Sequence, residues 1–140
     1  SIHEGLERAW SRGEVVFVPL GDLDYPDLVA QLADLFLRVH GVDWVIAAGR
    51  YKESLLISVR AQEPDAHAGD LVQGVVGARG SAGGHGEMAG ARIGLSPEAS
   101  SEEADELIDG LFDEFAIALG VEALAPESLI AGAEEGAESP

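Results

Sequence analysis

Apolar and polar positions fall into blocks along this chain, and the spacing changes from block to block. Val15-Val16-Phe17-Val18-Pro19-Leu20 is short, branched and continuously apolar, the pattern of a buried strand. The chain turns at Gly21 to Pro26, where Asp24 and Pro26 suit the opening of a helix. Leu28, Val29, Leu32, Leu35, Phe36 and Val39 then recur at helical spacing and mark one apolar face. His40-Gly41 ends that helix: Gly41 suits the C-terminal position and His40 the negative end of the dipole. Val42 to Ala48 and Leu55 to Arg60 read as two strands, and the hairpin-length loop between them, Gly49 to Glu53, predicts antiparallel pairing. Alternation puts Leu55, Ile57 and Val59 on a core face and Leu56, Ser58 and Arg60 on an amphipathic one, unusual for a central strand.

Gln62 to Ala68 is a loop, and Gly69-Asp70 opens a short helix whose apolar positions are Leu71, Val72, Val75 and Val76. After a glycine-rich stretch, Ala89 to Leu95 reads as a strand. Ser100 and Glu103 then have capping-box spacing ahead of the stripe Leu107, Ile108, Leu111, Phe112, Phe115 and Leu119, which Gly120 closes. Upstream, Ile2, Leu6, Ala9 and Trp10 predict a short helix within residues 2–11, with Trp10 a packing residue. The fold class is α/β, a mixed sheet of about four or five strands with flanking helices.

A chain of 140 residues with 46% apolar content is one folded domain with a real core. Residues 1–12 read as a connecting helix or linker remnant, 13–120 as the domain and 121–140 as an acidic tail expected to be disordered. Ala131 to Pro140 is expected to be disordered. No apolar run approaches the roughly 20 residues that span a bilayer. His3-Glu4 and Glu7-Arg8 interrupt any secretory signal, so the reading is a cytoplasmic protein with no membrane partner. The chain begins at Ser1, which reads as a piece of a longer protein. Having no cysteine, it has neither disulfides nor thiolate metal sites.

The net charge of −18 excludes a general nucleic-acid binder, because phosphate contacts need positive charge. The charge is unevenly spread. From Glu98 onward there are thirteen acidic residues and no basic one, whereas Arg50 to Arg92 holds five of each sign. The balanced part carries Gly80-Ser81-Ala82-Gly83-Gly84-His85-Gly86-Glu87-Met88-Ala89-Gly90, with Arg79 and Arg92 on either side. Glycines let main-chain N–H groups approach a ligand, successive N–H groups can form a concave anion site, and a histidine can donate to a phosphate oxygen. One reading is therefore a phosphate-binding loop; the other is a tight connection with an exposed histidine. His85-Gly86-Glu87 lacks the cysteines of a zinc deaminase. The glycine spacing is that of neither a dinucleotide fingerprint nor a P-loop, and no nucleophile elbow surrounds Ser81.

The run Ser81-Ala82-Gly83-Gly84-His85, followed by Met88-Ala89-Gly90-Ala91, resembles the GGGH loop of the DHHA1 domain, with Ala82 where that family usually has glycine. Ser58-Val59-Arg60 is similar to the serine–x–arginine of the nanoRNase type. By element order the resemblance covers roughly residues 14–118. DHHA1 is the substrate-binding half of the DHH phosphoesterases: RecJ-type exonucleases, nanoRNA/pAp phosphatases and cyclic-dinucleotide phosphodiesterases. The resemblance implies that backbone N–H groups from Ala82 to His85, with Ser81, Gly83 and Gly84 in the loop, hold a phosphate. It implies further that His85 donates to that phosphate and that Arg60 clamps it, with Arg79 and Arg92 as further candidates. An arginine fork independently suits a phosphate, although Arg60 could instead lie in solvent or pair with Glu63.

The parent enzymes hydrolyse phosphodiesters with two manganese ions held in an N-terminal DHH domain. No Asp-His-His run exists here, and His3, His40, His67 and His85 are scattered. Two-metal hydrolysis needs both ions clamped together, so this chain has no catalytic residue and no cofactor of its own in that reading. Its partners would be a nucleotide or short single-stranded nucleic-acid end, the N-terminal domain, and a second copy in a homodimer. The rival readings are a non-catalytic nucleotide-sensing domain and an acidic protein-interaction module.

Overall fold

The apolar run beginning at Val15 is strand β2 (Val15–Asp22), and it is buried on both faces as far as Leu20. It pairs in parallel with β3 (Trp44–Tyr51), in the register Val15↔Trp44 to Pro19↔Ala48. Parallel neighbours need a crossover, here supplied by helix α1 (Leu28–His40). Gly41 ends α1 at φ 63°, its N–H donating to the Leu37 carbonyl at 3.0 Å. A side chain is strained in that left-handed conformation, so glycine is the residue the stop requires. Strand β3 then turns at Lys52-Glu53 into the antiparallel β4 (Ser54–Ala61), paired Tyr51↔Ser54 through Trp44↔Ala61. The expected hairpin is therefore present, with β3 running through Gly49, Arg50 and Tyr51.

Helix α2 (Ala68–Val76) and a single 3-10 turn (Gly77–Arg79) lead to β5 (Ser81–His85) and β6 (Met88–Gly94). Helix α3 (Ser101–Ala118) follows. Its N-cap is Ser100, whose hydroxyl oxygen accepts from the Glu103 N–H at 3.0 Å, as the spacing of the two residues predicts. The computed structural model describes residues 7–129. Within them the sheet has seven strands in the order β5-β6-β4-β3-β2-β1-β7.

Strand alternation divides the apolar side chains between two cores. Val16, Val18 and Leu20 of β2, with Val45 and Ala47 of β3, meet Leu28, Val29, Leu32, Ala33 and Phe36 of α1. Val15, Phe17, Ile46, Leu55, Ile57 and Val59 point the other way, onto Val72 and Val76 of α2 and Ile108, Leu111, Phe112 and Phe115 of α3. A strand covered on both sides has no polar face to show, hence the unbroken apolar run.

Three strands were not anticipated: β1 (Trp10–Arg12), β5 and β7 (Glu127–Ser128), which raise the count from four or five to seven. The helix expected within residues 2–11 is helical only at Glu7 and Arg8 among the described residues, and Ile2 lies outside them. Trp10 instead pairs with Phe17 in the sheet. Its ring stacks on Phe17 with centroids 5.5 Å apart and meets Phe112 edge-on at 5.5 Å. Packing against residues far along the chain outweighs the local helical spacing. At the other terminus β7 pairs with β1, and Arg12 Nη1 donates to the Leu124 carbonyl at 2.5 Å. Of the tail expected to be disordered, residues 121–129 are described and carry β7, while Ala131 to Pro140 falls outside the described residues. No described helix is long and apolar enough to cross a membrane.

Candidate phosphate-binding cleft

The glycine-rich stretch is a β-hairpin rather than a loop. Strand β5 pairs with β6 from Ser81↔Arg92 to His85↔Met88, around a two-residue turn at Gly86-Glu87. Glycines that look like loop signals are needed here for clearance. A Cβ on Gly80 would lie 2.1 Å from the Arg92 carbonyl oxygen, and one on Gly84, at φ 152°, would lie 2.3 Å from that of Met88. On α2, a Cβ at Gly69 would lie 2.3 Å from the Gly84 carbonyl oxygen. The backbones of helix and strand therefore touch, and α2 covers this edge of the sheet.

This arrangement corrects the expected cradle of successive N–H groups at Ala82 to His85. Strand residues direct their backbone groups to alternate sides. The Ala82 carbonyl accepts from Gln73 Nε2 of α2 at 3.5 Å, and that of Gly84 also faces α2. Ser81, Gly83 and His85 are thus the residues whose backbones meet β6. Ala82 packs into the core under α2 and α3.

The side chains of alternate residues share the other face. The registers give three rungs across β4, β6 and β5: Arg60–Met88–His85, Ser58–Gly90–Gly83 and Leu56–Arg92–Ser81. Leu56 packs against the core beneath α1, which fixes this as the α1 side of the sheet. The strands β6 and β5 lie beyond β4 in the sheet order and form a ledge beside the helix. A cleft of about 310 Å³ opens there, lined by Ser58, Arg60, Gly84, His85, Met88, Ala89 and Gly90. Two residues that sequence reading assigned to one phosphate, Arg60 and His85, therefore border one space.

Arg60 is 8% exposed and, with Ser58, is one of two buried polar residues among the described residues. Its Nε donates to Asp34 Oδ1 of α1 at 2.6 Å, and its Nη1 donates to the carbonyls of Val59 at 3.0 Å and Ala89 at 3.4 Å. Nη2 has no partner among the described residues and is not sealed from solvent. Asp34, not Glu63, is thus the paired acid. Sequence reading missed it because it lies on the polar side of a helix whose apolar stripe carried the signal. His85 is exposed, and its side chain makes no hydrogen bond among the described residues.

The remaining candidates divide. Arg92 stands on the same sheet face two rungs from Arg60, its Nε donating to Ser54 Oγ at 3.0 Å, and Ser81 is its partner across the strands. Arg79 is not brought to the cleft. Its Nη1 and Nη2 hold both carboxylate oxygens of Glu114 on α3 at 3.1 and 3.0 Å, its Nε donates to the Val76 carbonyl at 3.2 Å, and its Nη2 also donates to that of Val75. A separate, mostly apolar cleft of about 420 Å³ lies between α2 and α3, away from these residues. No cluster of three or more histidine or acidic side chains among the described residues is placed to hold a metal ion. The donor set therefore does not fit the manganese pair of the DHH enzymes.

No family model and no curated protein matches this chain. Among solved structures, the C-Ala domain of alanyl-tRNA synthetase from Aquifex aeolicus matches with a TM-score of 0.51 at 19% identity, covering 74% of this chain and 97% of that one. The likeness is one of fold. A pGpG-specific phosphodiesterase from Vibrio cholerae shares it with a TM-score of 0.50 at 12% identity, over 81% of this chain and 37% of that one. This chain thus spans well under half of that phosphodiesterase.

Proposed function

We propose that this DHHA1-type domain binds the phosphate of a nucleotide or short single-stranded nucleic acid and positions it for a metal-bearing domain of a DHH-family phosphoesterase. The observation that carries the reading is the meeting of Arg60 and His85 at one cleft, with Nη2 of Arg60 left uncommitted. A buried guanidinium fixed on two sides and open on the third suits a phosphate oxygen, because little side-chain freedom is lost on binding. The imidazole N–H of His85 supplies a second donor. Gly90 and Gly83 keep the floor low, so that an anion can come close to the sheet.

The chemistry belongs to the other domain. Correct placement of a substrate lowers the barrier to reaction without any covalent step by the group that holds it. Support also comes from the phosphodiesterase neighbour, in which the matched segment is a minor part of the enzyme. Calorimetry with pAp and with a dinucleotide tests the assignment. His85→Ala and Arg60→Gln are each expected to weaken binding about tenfold, the loss of one charge-assisted hydrogen bond. Unchanged affinity in both folded variants would reject it.

A further inference from the structure

We infer that the ledge holds two phosphates of one strand, the second at Arg92, so that the site selects short single-stranded nucleic acids over mononucleotides. This rests on the reading of the Arg60–His85 cleft as a phosphate site. Along β6, Met88 stands in the rung of Arg60 and His85, and Arg92 stands four residues further on. At ~3.3 Å per residue that separation is about 13 Å. Between them lies the rung Ser58–Gly90–Gly83, in which two of three positions have no side chain. The space above Gly83 is open: a Cβ built there meets no atom within 4 Å.

Arg92 is exposed and uses only Nε, on Ser54, so both terminal nitrogens are free of protein partners among the described residues. The track thus runs from one arginine with an uncommitted nitrogen, over bare backbone, to a second. Met88, 47% exposed at the first rung, offers an apolar contact for a sugar or base. Asp34, which already faces Arg60, and Glu87 in the hairpin turn stand at the first rung, and Glu53 adjoins Ser54 at the Arg92 end. The carboxylates of α3 lie across the sheet. A single phosphate reaches one end of this track, whereas two or three linked nucleotides reach both.

The test compares thymidine 5′-monophosphate with 5′-phosphorylated tetrathymidylate by calorimetry at several salt concentrations. The tetranucleotide is expected to bind about tenfold more tightly. Arg92→Gln should lower its affinity about three- to tenfold and change the log–log salt slope by about 0.7, the share of one single-strand phosphate contact, with the mononucleotide within about twofold. Gly83→Val, whose Cβ meets no atom within 4 Å, should also weaken the tetranucleotide by obstructing the track. If both probes bind the natural protein and neither variant changes tetranucleotide affinity, the second subsite is overturned while the first stands. If neither probe binds, or His85→Ala and Arg60→Gln both leave the two affinities unchanged, the phosphate reading itself falls and the second subsite with it.

Discussion

Arg60 of β4 and Asp34 of α1 are joined by a 2.6 Å bond between Nε and Oδ1 across the helix–sheet interface. The arginine side chain is 10% exposed and the aspartate 49%, so one partner is buried while the other stays wet. With Nη1 held by two backbone carbonyls, Asp34 completes a fixed orientation for a side chain that lines the cleft. Asp34→Asn should therefore weaken phosphate binding although Asp34 touches no ligand. Its effect on stability should be only about 1 kcal/mol, because the exposed carboxylate is screened. Calorimetry and urea unfolding read the two effects separately. A loss of stability without a loss of affinity would show that the pair only fastens helix to sheet.

Neighbouring glycines of β5 should respond in opposite ways to the same added methyl group. Gly84→Ala forces a Cβ onto the Met88 carbonyl at a φ that side chains rarely adopt, whereas Gly83→Ala meets nothing. The first is expected to destabilise by about 2–3 kcal/mol and the second to stay within about 0.5 kcal/mol. Urea denaturation of the two variants measures the contrast.

Phe112 is 1% exposed and closes a cluster with Trp10 and Phe17, the latter with ring centroids 5.2 Å apart. Phe112→Ala is expected to cost about 3–5 kcal/mol through lost burial and the cavity left behind. Near-ultraviolet circular dichroism should also lose the signal of Trp10, since this cluster holds that ring.

Asp109 on α3 has its carboxyl pKa raised, first by partial burial and then by Asp105, Asp113 and Glu106, with Arg8 opposing. The native carboxyl thus holds its proton more tightly than the unfolded one. Stability from this group falls as pH rises from the unfolded value near 3.8 through the higher native value. Above that range the charged form opposes folding. Asp109→Asn should accordingly raise Tm at pH 7, and the gain should shrink toward nothing as pH falls below the unfolded value. Thermal melts at several pH values check the trend.

The long elements were legible because burial leaves a regular mark. The run at Val15, the stripes of α1 and α3, the hairpin after Tyr51 and the cap at Ser100 all rest on patterns a few residues long. What escaped depends on distant partners. β1 is held by β7 from the other end of the chain, and no local spacing at Trp10 or Glu127 encodes that pairing. β5 was hidden for another reason: strand signals come from branched and aromatic side chains, and Ser81 to His85 has had to give these up so that β6 and α2 can approach. Alternation along Leu55 to Arg60 did place Arg60 on the amphipathic face, but it could not name Asp34, 26 residues away.

The acidic helix α3 and the ledge occupy opposite sides of one sheet, and this has a kinetic consequence. At a net charge of −18 the molecule repels a polyanion at long range, and the carboxylates of α3 strengthen that field behind the sheet. Collisions on the rear side are turned away, and the productive approach is the one that meets Arg92 and Arg60 first. Added salt shortens the reach of the repulsion to about 8–10 Å or less while the short arginine contacts persist. Association should therefore speed up at moderate ionic strength, the reverse of an ordinary basic nucleic-acid binder.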